Sequence, residues 1–550
     1  MLEGFTPFPP EFAERYRAAG YWLDRPLGAY FHDRFVDYAD RLAVIAGTER
    51  ITYGELDSRI VHLARHLLDL GIAPLERVIV QLPNVPEFLY MYFALQRIGA
   101  IALLALPPHR RHEIGHYAAF AEAVACAVQD RAGDFSYVDM ARDIQVETPG
   151  MRHIFVLGDD VPDGCHSIRD LLRTEPGSPA KALDDFAIDP DQPAVFQLSG
   201  GTTGVPKIIP RTHNDYVLNS IGCAGANHMD GDTRLLVCLP IAHNFPLASP
   251  GIQGAFVHGG TGVLAPTPRP ADVLPLIQRE HISHLELVPA ALIRLLHDAA
   301  FADFDTSSVR IVNTGGQRLQ PEVAALAEQK FVNGTVQEVF GMAEGLVMLN
   351  DVRDPPSVRF EVAGPTWCAH DEIKLIDDDG REVADGETGE MACRGPYTLR
   401  GYYKLADHNA RTFTADGFFL TGDLMRVHSD GRYVVEGRKK DLINRGGEKI
   451  SAEEVENMLL AHPAIRNVAC VPMPDPVLGE RSCVYVIAAP GAAPTLDDIG
   501  AFLLGQGIAK FKLPERLELV DRFPLSPFGK VSKKDLAEMI AATLAEEKRD

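Results

Sequence analysis

Residues 198–207 read Leu198-Ser199-Gly200-Gly201-Thr202-Thr203-Gly204-Val205-Pro206-Lys207. The three glycines let the backbone turn tightly and bring its N–H groups close to an anion. Ser199, Thr202 and Thr203 add hydroxyl donors, and Lys207 adds a fixed positive charge. This is chemistry for holding the phosphates of a nucleotide. The loop is not a Walker A sequence, because the closing Gly-Lys-Ser/Thr is missing and Val205-Pro206 is a poor helix start. A lone glycine-rich loop also reads as an ordinary turn, so the phosphate reading needs partners elsewhere.

Four more clusters supply them. Phe340-Gly341-Met342-Ala343-Glu344 offers an aromatic face, a glycine and a carboxylate. Thr421-Gly422-Asp423 puts a carboxylate on a turn. Gly437-Arg438-Lys439-Lys440-Asp441 leads into Asn444-Arg445-Gly446-Gly447-Glu448-Lys449-Ile450. Near the C-terminus stands Pro524-Leu525-Ser526-Pro527-Phe528-Gly529-Lys530-Val531-Ser532-Lys533-Lys534. Each alone reads more readily as a solvated loop; the five in this order are highly specific.

The elements that must position them follow from apolar spacing. Residues 78–82 read as a strand, 87–98 as a helix and 100–106 as the next strand, a βαβ unit. An apolar run at 194–197 reads as a buried strand feeding the glycine-rich loop. Further strands are expected at 153–157, 235–239, 262–265, 284–288 and 310–313. The pattern predicts layered α/β sheets, mainly parallel. From about residue 360 the texture becomes short β segments, with a hairpin signal at Asp377-Asp378-Asp379-Gly380. Beyond the charged link 438–441 a compact α+β tail is expected. It opens with a capping box at Ser451-Ala452-Glu453-Glu454, followed by a strand at 483–488 and a helix at 497–506. The expected domains are 1–438 and 439–550.

The 550 residues suffice for several cores. A formal net charge of −23 argues against a nucleic-acid partner, since no basic surplus exists to neutralise phosphates. The eight cysteines form no CxxC pair, and reduced, mostly buried thiols are expected. There is no run of 18 apolar residues and no basic leader, so a soluble cytoplasmic protein without a membrane partner is expected.

The five clusters resemble the adenylate-forming superfamily of acyl-CoA synthetases, nonribosomal-peptide adenylation domains and luciferases. The resemblance runs from Gly20-Tyr21-Trp22 to Lys534. It is strongest to stand-alone aryl-acid adenylating enzymes of siderophore assembly, of the 2,3-dihydroxybenzoate–AMP ligase type. Local signatures include Phe12-Ala13-Glu14-Arg15-Tyr16, Ile209-Pro210-Arg211-Thr212-His213-Asn214-Asp215-Tyr216 and Arg394-Gly395-Pro396-Tyr397. The resemblance implies a large α/β N-terminal domain and a small mobile α+β C-terminal domain. It also implies ATP and Mg²⁺ as cofactors, and activation of an aryl acid with release of pyrophosphate. In that scheme the 199–207 loop cradles the phosphates, with Thr203 in a catalytic position, and Glu344 holds Mg²⁺. Phe340 lies on the adenine, with Gly316, Gln317, Gly341, Met342 and Ala343 nearby. Asp423 takes the ribose hydroxyls beside Arg438, and Lys530 binds the acid and the developing charge. The small domain then rotates about Lys440, withdrawing Lys530 and presenting Lys449. Lys440 also reads as an ordinary surface lysine. The implied acceptor is a phosphopantetheine arm on a separate carrier protein, or CoA.

By the same resemblance, 242–251 forms the aryl pocket. Asn244 would bond the ortho-hydroxyl and Ser249 would face the 3-hydroxyl. His243 and Phe245 would shape the site, with Gly315, Gln317, Val347 and Lys530 completing it. Ser249 and Val347 favour 2,3-dihydroxybenzoate over salicylate. Three departures stand against a plain match: Gly315-Gly316-Gln317, Met348-Leu349-Asn350, and Pro107-Pro108 before His109-Arg110. Gln317 is long and polar, so a hydroxylated heteroaryl acid such as 3-hydroxypicolinate stays open.

Overall fold

The computed structural model describes residues 1–179, 183, 186–199, 207–526 except 447, and 529–547, without the side chains of Lys440 and Lys449. Two large, mainly parallel sheets form the N-terminal part. The eight-stranded sheet runs Gly345–Leu349, Thr335–Met342, Ile311–Gly315, His284–Leu287, Arg234–Val237, Thr261–Leu264, Leu42–Ala46 and Glu49–Thr52. Its inner strands are parallel, and its two edge pairs are antiparallel. The seven-stranded sheet runs Ile208–Thr212, Pro193–Leu198, Ile101–Leu104, Arg77–Gln81, Ala123–Gln129, His153–Leu157 and His166–Ser167. Only its Pro193–Leu198/Ile208–Thr212 edge is antiparallel.

That antiparallel edge brings Ser199 and Lys207 together. Leu198 pairs with Ile208. Ser199 N–H donates to the Lys207 carbonyl at 2.9 Å, and Lys207 N–H donates to Ser199 Oγ at 2.9 Å. Ser199 and Lys207 thus face each other where the two antiparallel strands end. Helices fill the space between the two sheets. Tyr53–Asp69 starts from a capping box in which Glu55 N–H donates to Thr52 Oγ1 at 3.2 Å and Thr52 N–H to Glu55 Oε2 at 2.8 Å. Pro86–Arg97 begins on a proline, which costs no intrahelical bond there. Phe31, Phe35, Phe93 and Phe256 interlock as the aromatic centre of this core, with Phe35 and Phe93 edge to face at 5.3 Å.

A four-stranded antiparallel sheet follows, in the order Glu372–Ile376, Gly389–Arg394, Phe419–Val427 and Tyr433–Arg438. Asp377 to Gly380 does turn the chain, but it returns through a single bridge, Ile376 to Glu382. The full partner of Glu372–Ile376 is Gly389–Arg394. The small C-terminal domain has its own five-stranded sheet, with Gly479–Ala488 between Ile465–Asp475 and Arg516–Leu519. Ser451 caps Ala452–Leu460 by accepting from Glu454 N–H at 3.2 Å. Among the described residues no helix is long and apolar enough to cross a membrane.

Candidate active site

A cavity opens at the carboxyl ends of the parallel strands of the eight-stranded sheet, where ligands bind in open α/β sheets. It encloses about 400 Å³, open mouth included. Gly315 ends the Ile311–Gly315 strand, and Val339 lies beside it in parallel register. Gly341 faces Val347 across the next pair, and a Cβ on Gly341 would stand 3.3 Å from Val347 Cγ2. The 243–249 segment contributes His243, Asn244, Phe245 and Ser249. The C-terminal domain contributes Lys530.

The 243–249 segment is held from within. His243 Nδ1 accepts from Phe245 N–H at 3.2 Å and so caps Asn244–Ala248. Burial, and then the nearby Lys530 charge, hold the His243 pKa well below its ordinary value, so the imidazole is neutral. The helix His213–Ala226 supports the segment from outside the cavity. Tyr216 and Asn219 are three residues apart and share a face. Gln197 Nε2 donates to the Tyr216 hydroxyl at 3.0 Å, and that hydroxyl donates to Asn244 Oδ1 at 2.9 Å. Asn244 Nδ2 donates to Ser249 Oγ at 2.9 Å, and Asn219 Nδ2 donates to the same oxygen at 3.0 Å.

Lys530 lines the cavity and is tied to Ser526. Ser526 N–H donates to the Lys530 carbonyl at 2.7 Å, Lys530 N–H donates to Ser526 Oγ at 3.2 Å, and Leu525 bridges Val531. The side chain passes over Gly316, where a Cβ would lie 2.5 Å from Lys530 Cε and 3.0 Å from Nζ.

Two further groups flank this centre. Asp423 is buried, and its Oδ1 accepts from Arg438 Nε at 2.7 Å. The two residues are paired across adjacent antiparallel strands. Burial pushes the Asp423 carboxyl upward, and the Arg438 charge opposes the shift. Glu344 Oε1 accepts from the Tyr402 hydroxyl at 2.8 Å. Lys207 Nζ lies 4.7 Å from the centre of the Tyr402 ring and 3.1 Å from His408 Nε2. Burial first, then Lys207, lowers the His408 pKa, which leaves a neutral imidazole to accept from the ammonium. Arg211 is wholly buried and donates to Asp215 Oδ1 at 2.8 Å, to the Ala343 carbonyl at 2.9 Å and to the Tyr397 carbonyl at 3.2 Å. It ties the backbone next to Glu344 to the Ile208–Thr212 strand.

One family model, described as AMP-binding enzyme, matches residues 31–403, and a second, AMP-binding enzyme C-terminal domain, matches residues 454–530. The chain belongs to the AMP-binding enzymes. A salicylyl-CoA synthase / salicylate adenylyltransferase of a Streptomyces species is 45% identical over 541 residues, 98% of this chain and 98% of that protein. The 2,3-dihydroxybenzoate-AMP ligase of Bacillus subtilis strain 168 is 44% identical over 544 residues, 99% of each. Among solved structures, apo MbtA of Mycobacterium smegmatis matches with a TM-score of 0.75 at 39% identity, covering 97% of this chain and 98% of that one.

In this AMP-binding enzyme the cavity gathers His243, Asn244, Phe245, Ser249, Gly315, Gly316, Gly341, Met342, Ala343, Val347 and Lys530. It leaves out Gln317: the described lining ends at Gly316, whose φ of +89° turns the chain there, and Gln317 is half-buried outside it. Phe340 also stands outside the lining and packs on the cluster of Leu346, Met348 and Met425. Gly200, Gly201, Thr202, Thr203 and Gly204 lie outside the described residues, as do the side chains of Lys440 and Lys449. Sequence reasoning missed Val339, Tyr402, His408, Gln197 and Asn219. Asn219 and Gln197 sit within or next to quoted motifs, but their types alone gave no signal. Tyr402 follows the Arg394-Gly395-Pro396-Tyr397 signature by five residues, which is the nearest available cue.

Proposed function

We propose that this enzyme activates an aryl acid, 2,3-dihydroxybenzoate, as its acyl-adenylate. It then passes the acyl group to the phosphopantetheine thiol of a separate carrier protein. The observation that carries the acid assignment is the Asn244–Ser249 hydrogen bond inside a cavity that Lys530 also lines. A carboxylate with two adjacent ring hydroxyls offers three oxygens in a row, and Lys530, Asn244 and Ser249 offer three donors. Similarity to a salicylate adenylyltransferase and a 2,3-dihydroxybenzoate ligase supports the aryl class. With Gln317 outside the lining, 3-hydroxypicolinate loses the residue that motivated it.

A carboxylate oxygen attacks the α-phosphorus of ATP. The new P–O bond forms as the bond to pyrophosphate breaks, and pyrophosphate leaves with that electron pair. The acid is ionised at pH 7, so no side-chain base is required. Both reactants are anions, so catalysis rests on positive charge and alignment. Lys530 would contact the carboxylate and the α-phosphate. Asp423, steadied by Arg438, would accept from the ribose hydroxyls, Phe340 would lie against the adenine, and the 199–207 loop would hold the phosphates. Mg²⁺, when bound, neutralises phosphate charge, and Glu344 would hold it. Such ions take one or two carboxylates beside phosphate and water oxygens, and a single carboxylate steadied by Tyr402 fits that role.

In the second half-reaction the thiol attacks the acyl carbonyl and AMP leaves. The C-terminal domain would turn about Lys440, withdrawing Lys530 and bringing Lys449 in. All eight cysteines are free, which fits a reducing cytoplasm. An aryl-CoA ligase is the second reading, favoured by the name of the Streptomyces relative. CoA and holo carrier protein, each added to a preformed aryl-adenylate, separate the two. The main test is ATP–pyrophosphate exchange across aryl and heteroaryl acids. Fastest exchange is expected with 2,3-dihydroxybenzoate. A ranking led by 3-hydroxypicolinate overturns the acid assignment.

A further inference from the structure

We infer that Asn219, which does not line the cavity, sets specificity at the third ring position by making the Ser249 hydroxyl a donor only. The inference rests on the aryl-acid reading above.

A serine hydroxyl has one proton to give and two lone pairs to accept with. Ser249 Oγ accepts from Asn244 Nδ2 at 2.9 Å and from Asn219 Nδ2 at 3.0 Å, so both accepting positions are filled. The Asn219 amide cannot be turned around. Asn219 Nδ2 also donates to the Ala248 carbonyl at 2.5 Å, and a carbonyl there would repel an amide oxygen. Asn244 Oδ1 accepts from the Tyr216 hydroxyl, whose own oxygen accepts from Gln197 Nε2, and in this arrangement Asn244 presents its NH₂ to Ser249. Every bond in the chain from Gln197 to Ser249 therefore points the same way. What reaches the cavity is the Ser249 proton. Ser249 is 4% exposed, so a ligand that cannot accept this proton leaves a buried donor unmet.

A 2,3-dihydroxybenzoate anion is the complement. Its 2-hydroxyl donates to its own carboxylate, and its 3-hydroxyl donates to the 2-oxygen. Both protons are spent internally, and the outward edge offers acceptor lone pairs alone. The pocket therefore selects salicylates that carry an acceptor at C3. A group of similar size that accepts poorly, such as an aromatic amine, gains nothing from Ser249.

The test is kcat/KM for acid-dependent ATP–pyrophosphate exchange with salicylate, 2,3-dihydroxybenzoate and 3-aminosalicylate. Wild-type enzyme should place 3-aminosalicylate beside salicylate and well below 2,3-dihydroxybenzoate; a value equal to 2,3-dihydroxybenzoate overturns the inference without any variant. Asn219→Ala frees a lone pair on Ser249 and leaves the Ala248 carbonyl as a rival acceptor for its proton. The 2,3-dihydroxybenzoate-to-salicylate ratio should fall about tenfold, the discrimination of one buried hydrogen bond. In a Ser249→Ala background the same substitution should leave the ratio where it is, because Asn219 acts through Ser249. An equal loss on both acids, or the same ratio change without Ser249, means that Asn219 only supports the fold. Failure of every aryl acid to drive exchange would instead strike the aryl-acid reading itself.

Discussion

Lys530 and Gly316 meet across the boundary between the two domains, so closely that a Cβ on Gly316 would lie 2.5 Å from Lys530 Cε. Gly316 also has φ +89°, a conformation that side chains disfavour. The lysine reaches the cavity because nothing stands on that glycine. Gly316→Ala should slow pyrophosphate exchange by about a hundredfold, the scale of an ångström-sized misplacement of a reacting group. Acyl transfer from a supplied adenylate should suffer less, and an unchanged exchange rate would mean that Lys530 does not work along this path.

Arg211 and Asp215 form a buried ion pair at 2.8 Å, with side chains 0% and 2% exposed. Burial pushes the Asp215 carboxyl up and Arg211 opposes it. Asp215→Ala would leave the guanidinium buried beside an empty space. Urea unfolding should show a loss of about 3–5 kcal/mol, the cost of breaking one side of such a pair. A loss near zero would show that the Ala343 and Tyr397 carbonyls satisfy Arg211 unaided.

Contiguous chemistry was legible in the sequence, and chemistry assembled over distance was not. The 153–157 strand and the 87–98 helix follow directly from apolar spacing, and the structure has His153–Leu157 and Pro86–Arg97. Asn244 and Ser249 are five residues apart, and one short helix brings both to the cavity. Tyr402 and Glu344 are 58 residues apart, and Lys207 and His408 are 201 apart; neither pair leaves a trace in local spacing. Gln317 shows the limit of chain adjacency. It adjoins Gly316 in the chain, but the backbone turns there and the described lining stops. The 377–380 turn was read correctly, but a turn signal does not tell which later segment completes the sheet.

The Tyr402 hydroxyl donates to Glu344 Oε1 at 2.8 Å. Partners of this kind orient metal-holding carboxylates, and their loss costs about tenfold or more in metal affinity. Tyr402→Phe should therefore raise the Mg²⁺ concentration at half-maximal exchange about tenfold while the rate at saturating Mg²⁺ falls little. An unmoved midpoint would place Glu344 outside the metal's reach or show its orientation to be independent of Tyr402.

Glu286 is fully buried, and its carboxyl is pushed up to about 8 by that burial, with only the Gly251 N–H at 2.9 Å pulling it down. The native state keeps this proton while the unfolded chain releases it near the ordinary value of 4.5. The unfolded state thus binds fewer protons between those two values, and stability falls as pH rises from about 4.5 to about 8. Glu286→Gln keeps the acceptor for Gly251 and removes the titration. Its stabilisation should be small at pH 5 and on the order of a few kcal/mol larger at pH 8. Urea titrations at both pH values check this, and a pH-independent difference would show that Glu286 is ionised in the folded protein.

Lys530 is proposed to make the contact through which this enzyme joins an aryl acid to AMP. Acid-dependent ATP–pyrophosphate exchange, run on wild type and Lys530→Ala side by side with 2,3-dihydroxybenzoate, tests it most directly. Wild type should exchange, and the variant should lose about two orders of magnitude or more, the cost of one positioned transition-state contact. The same variant, given the preformed aryl-adenylate and a holo carrier protein, should retain far more of its acyl transfer. Undiminished exchange in Lys530→Ala would remove Lys530 from the adenylation step, and no exchange with any aryl acid in wild type would rule out aryl-acid activation.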